Sequence, residues 1–187
     1  MKKINAISMI AILVFFSSCG LISDLIPDVD TTFEKIIPVD IEDNSGYTDA
    51  DTIDLESSGD YSEFEGNIDG FKINEIRFDI LNYNVPPDMY FTATIHAISE
   101  DGTESVIPGK ISSSLLRSLA EDEKENEVEE ISEGLDKVIE WLDSPGRFIV
   151  KLSYELKDAS GNPYPVEGEG YRFDIKIIFD VTVITGI

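Results

Sequence analysis

A mainly β chain, an antiparallel β-sandwich with a one- or two-helix insertion, is the fold the sequence predicts, and three observations predict it. Strictly alternating apolar and polar runs stand on both sides of the chain's middle, a helical spacing of apolar residues stands between them, and nowhere do strands and helices take turns. A parallel α/β sheet needs that regular turn-taking, so the strands pair with each other as two packed layers.

The elements follow in order. The stretch TTFEKIIPVDIE, from Thr31, is rich in β-branched and aromatic residues, and Pro38 within it marks an edge strand or a bulge. A turn-rich acidic stretch follows, with one short strand candidate at Thr52 to Leu55. In FKINEIRFDILNYN, Phe71 and Ile73 share one phase and Ile76, Phe78 and Ile80 the other, so a bulge belongs near Asn74 and Glu75. Pro86 and Pro87 end that strand. Met89, Phe91, Ala93, Ile95 and Ala97 then alternate with Tyr90, Thr92, Thr94 and His96 up to a turn at Ser99 to Gly102.

Two more strands close the chain. Phe148, Val150, Leu152, Tyr154 and Leu156 share one face as far as the turn ASGNP, and Tyr171 to Val183 alternate over a long final strand. Ile178 and Ile184 fall on that strand's other face and predict that part of it is covered as well.

The insertion is expected over about 111–143. Leu115, Leu116 and Leu119 stand at helical spacing after a serine cluster that can cap, and Val128, Ile131, Leu135, Val138 and Leu142 recur every three or four residues. Pro145 and Gly146 stop this second helix. Between the two, the acidic run EDEKENEVEE, residues 121–130, reads as a loop and a first helical turn, where carboxylates favour the positive end of the helix dipole.

The N-terminus is a targeting segment. Lys2 and Lys3 precede an apolar run from Ile4 to Phe16, shorter than the ~20 residues that cross a bilayer as a helix. Ser17 and Ser18 then lead to Cys19, the one cysteine in the chain, which rules out an intrachain disulfide, a CxxC redox site and a Cys-zinc site. The sequence FSSC resembles the lipobox of a bacterial lipoprotein signal, with Phe16 where leucine is usual. That resemblance implies cleavage after residue 18, a diacylglyceryl thioether on Cys19 and acylation of its new amino group; Gly20, where Asp would resemble an inner-membrane retention signal, leans toward the outer membrane. Two or three acyl chains, each contributing ~0.8 kcal/mol per buried CH2, hold a domain stably at a membrane. Residues 19–30, with Pro27 and scattered acids, read as a tether, and residues 31–187 as one domain.

Charge excludes one class of partner. The chain carries 38 acidic and 14 basic residues, and loss of residues 1–18 with their two lysines takes the formal charge from −24 to about −26. Such a domain repels the phosphate backbone, so no nucleic-acid partner is expected.

Few residues offer chemistry. His96 is the sole histidine and sits on the threonine-rich face of a strand, so a Ser-His-Asp triad would rest on it alone; a plain strand histidine is the expectation, and the protein reads as no enzyme. GNPYPVEGEGYR lacks the spacing and the lysine of a phosphate loop, and no cofactor is expected. Asp49, Asp51 and Asp54 crowd one loop and are weak calcium candidates, although DADTIDLESSGD departs from the EF-hand pattern and solvated loop acids are the plainer reading. Tyr47, Tyr61, Tyr164, Tyr171 and Trp141 are the aromatics that could stack on a sugar, with Trp141 the one expected to pack instead.

In overall texture the chain is similar to the small β-sandwich lipoproteins of Bacteroidota: a Lys-Lys signal, a cysteine, a tether, a TTFEKIIPVDIE-like first strand and an acidic, aromatic-rich body. The resemblance implies a noncatalytic, membrane-anchored scaffold or binding domain on the cell surface or in the periplasm, with an envelope protein or a glycan as partner. Two alternatives stand beside it. One is a fimbrial subunit assembled by strand exchange through the long C-terminal strand; the other is a glycan-binding module.

Overall fold

The computed structural model describes residues 28–40, 46–48, 50–55, 68–122, 125–164 and 171–186, and among these described residues it forms nine strands and two helices. The strands are β1 (Val29–Asp40), β2 (Asp51–Asp54), β3 (Ile68–Asn84), β4 (Tyr90–Ser99), β5 (Ser105–Leu115), β6 (Asn126–Glu127), β7 (Glu129–Glu130), β8 (Arg147–Lys157) and β9 (Arg172–Thr185). The helices are α1 (Leu116–Glu121) and α2 (Ser132–Asp143).

Every pairing is antiparallel, and the strands form two sheets in the orders β1-β9-β3-β6 and β2-β8-β4-β5-β7. The partners β1 with β9, β2 with β8, β3 with β6 and β4 with β5 are those of one long hairpin folded up on itself, which is the strand order of a jelly roll. The predicted antiparallel sandwich is thus the observed one.

The alternation seen in the sequence is the cause of the core. Phe71, Ile73, Ile76, Phe78 and Ile80 from one sheet face Phe91, Ala93, Ile95, Phe148, Val150 and Leu152 from the other, all buried. Phe91 meets Phe173 edge-on with ring centroids 5.4 Å apart, and Phe148 meets Phe179 likewise at 5.5 Å. The phase slip in β3 appears as a register shift between Ile73 and Glu75, the predicted bulge. Ile178 is fully buried, as its position on the covered second face of β9 predicts, while Ile184 is 38% exposed.

Three boundaries differ from the sequence reading. The domain's first strand already includes Val29 and Asp30, assigned to the tether, because Val29 pairs with Val183 and Asp30 accepts a hydrogen bond from Thr182 Oγ1 at 2.6 Å. Residues 111–115 are strand rather than helix: the Ser112–Ser114 cluster extends β5 along β4, and helix begins only at Leu116. Helix α2 begins at Ser132, so Val128 and Ile131 precede it although their spacing suits it.

The described part of the acidic run is therefore a strap between the sheets. Asn126 and Glu127 pair with β3, Glu129 and Glu130 pair with β5, and buried Val128 points between them into the core. Glu125 is held by Arg77 and by Lys176, the latter at 3.0 Å, and Glu130 Oε1 accepts the Ile76 N–H at 2.9 Å beside the bulge. Like charges that would repel in a free loop are here offset by cations and a backbone donor. Beyond the strap, α2 packs on β5, β3 and β8, with Val138, Trp141 and Leu142 buried.

Candidate functional site

Cys19, Asp49 and Tyr61 lie outside the described residues. Of the other calcium candidates, Asp51 accepts from Lys35 Nζ at 2.9 Å and from the Thr52 N–H at 2.7 Å, while Asp54 stands opposite Arg147. Three residues apart on one strand, they face opposite sides of the sheet. Among the described residues no group of three or more His, Cys, Asp or Glu side chains converges as a metal site would require. The Lys35 contact holds the Asp51 carboxyl below the usual carboxylate range.

The aromatics separate by position. Trp141 is 5% exposed and belongs to the core, as expected. Tyr171 is half-buried against that core, and half-buried Tyr164 donates from its hydroxyl to Asp88 at 3.1 Å. Tyr47 differs, with 56% of its surface exposed.

Local backbone explains where Tyr47 sits. Gly46, at φ +68°, turns the chain onto the edge of β8; its carbonyl accepts from Tyr154 N–H at 2.8 Å, and Thr48 N–H donates to the Leu152 carbonyl at 3.0 Å. Tyr47 thereby pairs with Ser153 as an extension of the five-stranded sheet. Register then places Ser153 beside Thr94 and Thr94 beside Lys110, while Lys151 stands beside His96 and Glu155 beside Thr92. These side chains all occupy the outer face of the sheet, since their neighbours Ala93, Ile95, Leu152 and Tyr154 are buried.

The result is a polar groove of about 440 Å³ lined by Gly46, Tyr47, Thr92, Thr94, Ser153 and Glu155 among others. Lys151 Nζ lies 4.9 Å from the centre of the Tyr47 ring, a cation–π contact that holds the ring against the sheet. His96 Nε2 and Ser153 Oγ are 2.9 Å apart. Partial burial and the neighbouring Lys151 charge both hold the imidazole below its usual pKa, in that order of size.

That pair has the spacing of a base and a nucleophile but the wrong surroundings. In a Ser-His-Asp triad a carboxylate stabilises the imidazolium, whereas here the neighbouring charge is a lysine, which opposes it. The arrangement suits binding: hydroxyls, an imidazole and one platform ring on a rigid sheet. Sequence reasoning singled out Tyr47 and His96 separately; that they share a face with Ser153 and Lys151 depended on strand register, which the sequence does not display.

No protein-family model matches the chain, and no curated protein matches it. Among solved structures, a chain of the mud crab tombus-like virus overlays 87% of this chain and 84% of its own length at 9% identity and a TM-score of 0.28. A chain of Desmodium yellow mottle tymovirus overlays 84% of each at 12% identity and a TM-score of 0.26. Likenesses this slight carry no argument about function.

Proposed function

We propose that this protein is a noncatalytic lipoprotein of the bacterial cell envelope, anchored through acylated Cys19, which displays its jelly-roll domain as a binding scaffold at the outer membrane. The observation that carries this reading is the position of the sole cysteine: directly after a 13-residue apolar run and two small residues, and ten residues before the first strand at Val29. That order gives an anchor, a spacer and then a folded body. The spacing would hold the acidic domain near the membrane while leaving the outer face of the five-stranded sheet accessible.

The alternative of a fimbrial subunit joined by strand exchange gains little from the sheet edges. Strand β9 is interior, paired along its length with β1 and β3, so it has no open edge to offer a neighbour. The longest of the strands that end a sheet is β1, and it carries Pro38 and an inward-facing Lys35, both devices that discourage edge-to-edge pairing.

Metabolic labelling of bacteria with an alkyne fatty acid, followed by membrane fractionation, tests the anchor. Wild-type protein is expected to take up label and sediment with membranes, and Cys19→Ala to lose both label and processing. Labelled or correctly processed Cys19→Ala protein would overturn the reading.

A further inference from the structure

We infer that the groove beside Tyr47 is a binding site for a neutral saccharide, with Tyr47 as its stacking platform; this names a ligand class for the binding domain proposed above and rests on that reading.

The geometry of the ring is the first argument. Tyr154 of the same sheet turns into the core at 8% exposure, whereas Tyr47 keeps 56% of its surface in solvent on a sheet whose backbone pairing fixes its position. Half-buried Lys151 lies over the ring at 4.9 Å from its centre, and more than half of the residue's surface still meets solvent. An aromatic ring fixed in place and more than half exposed suits the C–H face of a pyranose, whose weakly positive hydrogens meet the negative face of such a ring.

The neighbours of the ring supply the second argument. A sugar seated on Tyr47 presents its hydroxyls sideways, where Ser153, Thr94 and Thr92 provide groups that both donate and accept and Glu155 accepts. The volume of the groove lies within the ~300–1,000 Å³ of small-molecule sites. Its polarity disfavours an apolar ligand, for which hydroxyl-lined walls would have to be desolvated without return.

Charge decides between neutral and acidic sugars. The formal charge of −24 repels a polyanionic glycan at long range, while at the groove wall Glu155 is already paired with Lys157 Nζ at 2.6 Å and presents no free charge to attract or repel one. One platform ring among the described residues points to one or two sugar units and to weak affinity that gains from many chains displayed on one cell.

Affinity electrophoresis of the full chain in a detergent without a sugar headgroup tests this, with mannan, β-glucan, galactan and xylan as neutral probes and alginate as the acidic one. At least one neutral polysaccharide is expected to retard the protein. Tyr47→Ala should weaken that retardation about tenfold or more, Tyr47→Phe should keep it within about twofold, and Tyr83→Ala, at the other exposed tyrosine among the described residues, should leave it unchanged. Retardation by none of the neutral probes, by alginate alone, or equally in Tyr47→Ala would overturn the inference. Fatty-acid labelling of Cys19 is untouched by any of these variants, so failure of the saccharide site and failure of the anchor are read separately.

Discussion

Val128 occupies the space that a side chain at Gly109 would need: a Cβ on Gly109 would come within 2.4 Å of Val128 Cγ1. This contact is where the strap between the two sheets locks, because Val128 N–H also donates to the Ile76 carbonyl at 3.1 Å and Ile131 N–H to the Pro108 carbonyl at 2.9 Å. Gly109→Ala is therefore expected to destabilise the domain by about 1–3 kcal/mol through overpacking. Val128→Ala should also destabilise it, by opening a cavity. The double variant should lose less than the two single losses added, since the smaller residue at 128 makes room for the new methyl. Urea midpoints of the four proteins check this, and strict additivity would show that the two positions do not share the space.

Gly134 in α2 gives a prediction of opposite sign to helix propensity. A Cβ there would stand 2.2 Å from the Ile107 carbonyl oxygen, a backbone atom that cannot step aside. Propensity alone would make Gly134→Ala stabilising by about 1 kcal/mol. The clash should outweigh it and lower stability by at least about 1–3 kcal/mol, because α2 must lift off β5. Asp136→Ala, exposed on the same helix, serves as the control and should stay within about 0.5 kcal/mol of wild type. Urea unfolding of both variants distinguishes docking from propensity.

These two contacts also mark where the sequence stopped being informative. The long strands were legible because one face is buried along their whole length, and even the bulge in β3 showed itself as a slip of phase between Ile73 and Ile76. Strand β5 was hidden, since Pro108, Gly109 and three serines interrupt its alternation while its last residue, Leu115, shares the helical spacing of Leu116 and Leu119, which do belong to α1. The strap was hidden for a related reason: Val128 and Ile131 continue the period of α2 by coincidence, and a run of glutamates reads as solvated until Arg77 and Lys176 are placed beside it. At the candidate site, Tyr47 and His96 could be named, but only the pairing of Tyr47 with Ser153 and of His96 with Lys151 joins them.

Lys35 guards the long edge. It faces inward on β1 and meets Asp51 of β2 at 2.9 Å, joining the two sheets across the rim opposite the strap. A partly exposed pair of this kind contributes at most about 1 kcal/mol, so its larger effect is to place a charge where an incoming strand would have to bury it. Lys35→Val should leave the urea midpoint nearly unchanged yet raise the fraction of dimers and larger species in light scattering at high protein concentration. A strictly monomeric Lys35→Val protein would show that the edge needs no such guard.

His96 makes the stability of the domain sensitive to acid. Its folded-state pKa lies below the ordinary value, from partial burial and then from Lys151, so the unfolded chain binds the proton more readily than the folded one. The contribution is fully present above the unfolded pKa of ~6.5 and is lost as pH falls through that value toward the lower folded one. His96→Gln keeps a polar group beside Ser153 but cannot titrate. Between about pH 7 and pH 5 it should therefore lose less stability than wild type, with the two curves parallel above that window. Parallel curves throughout would show that His96 is protonated equally easily in both states, and that the burial and the Lys151 charge have no net hold on it.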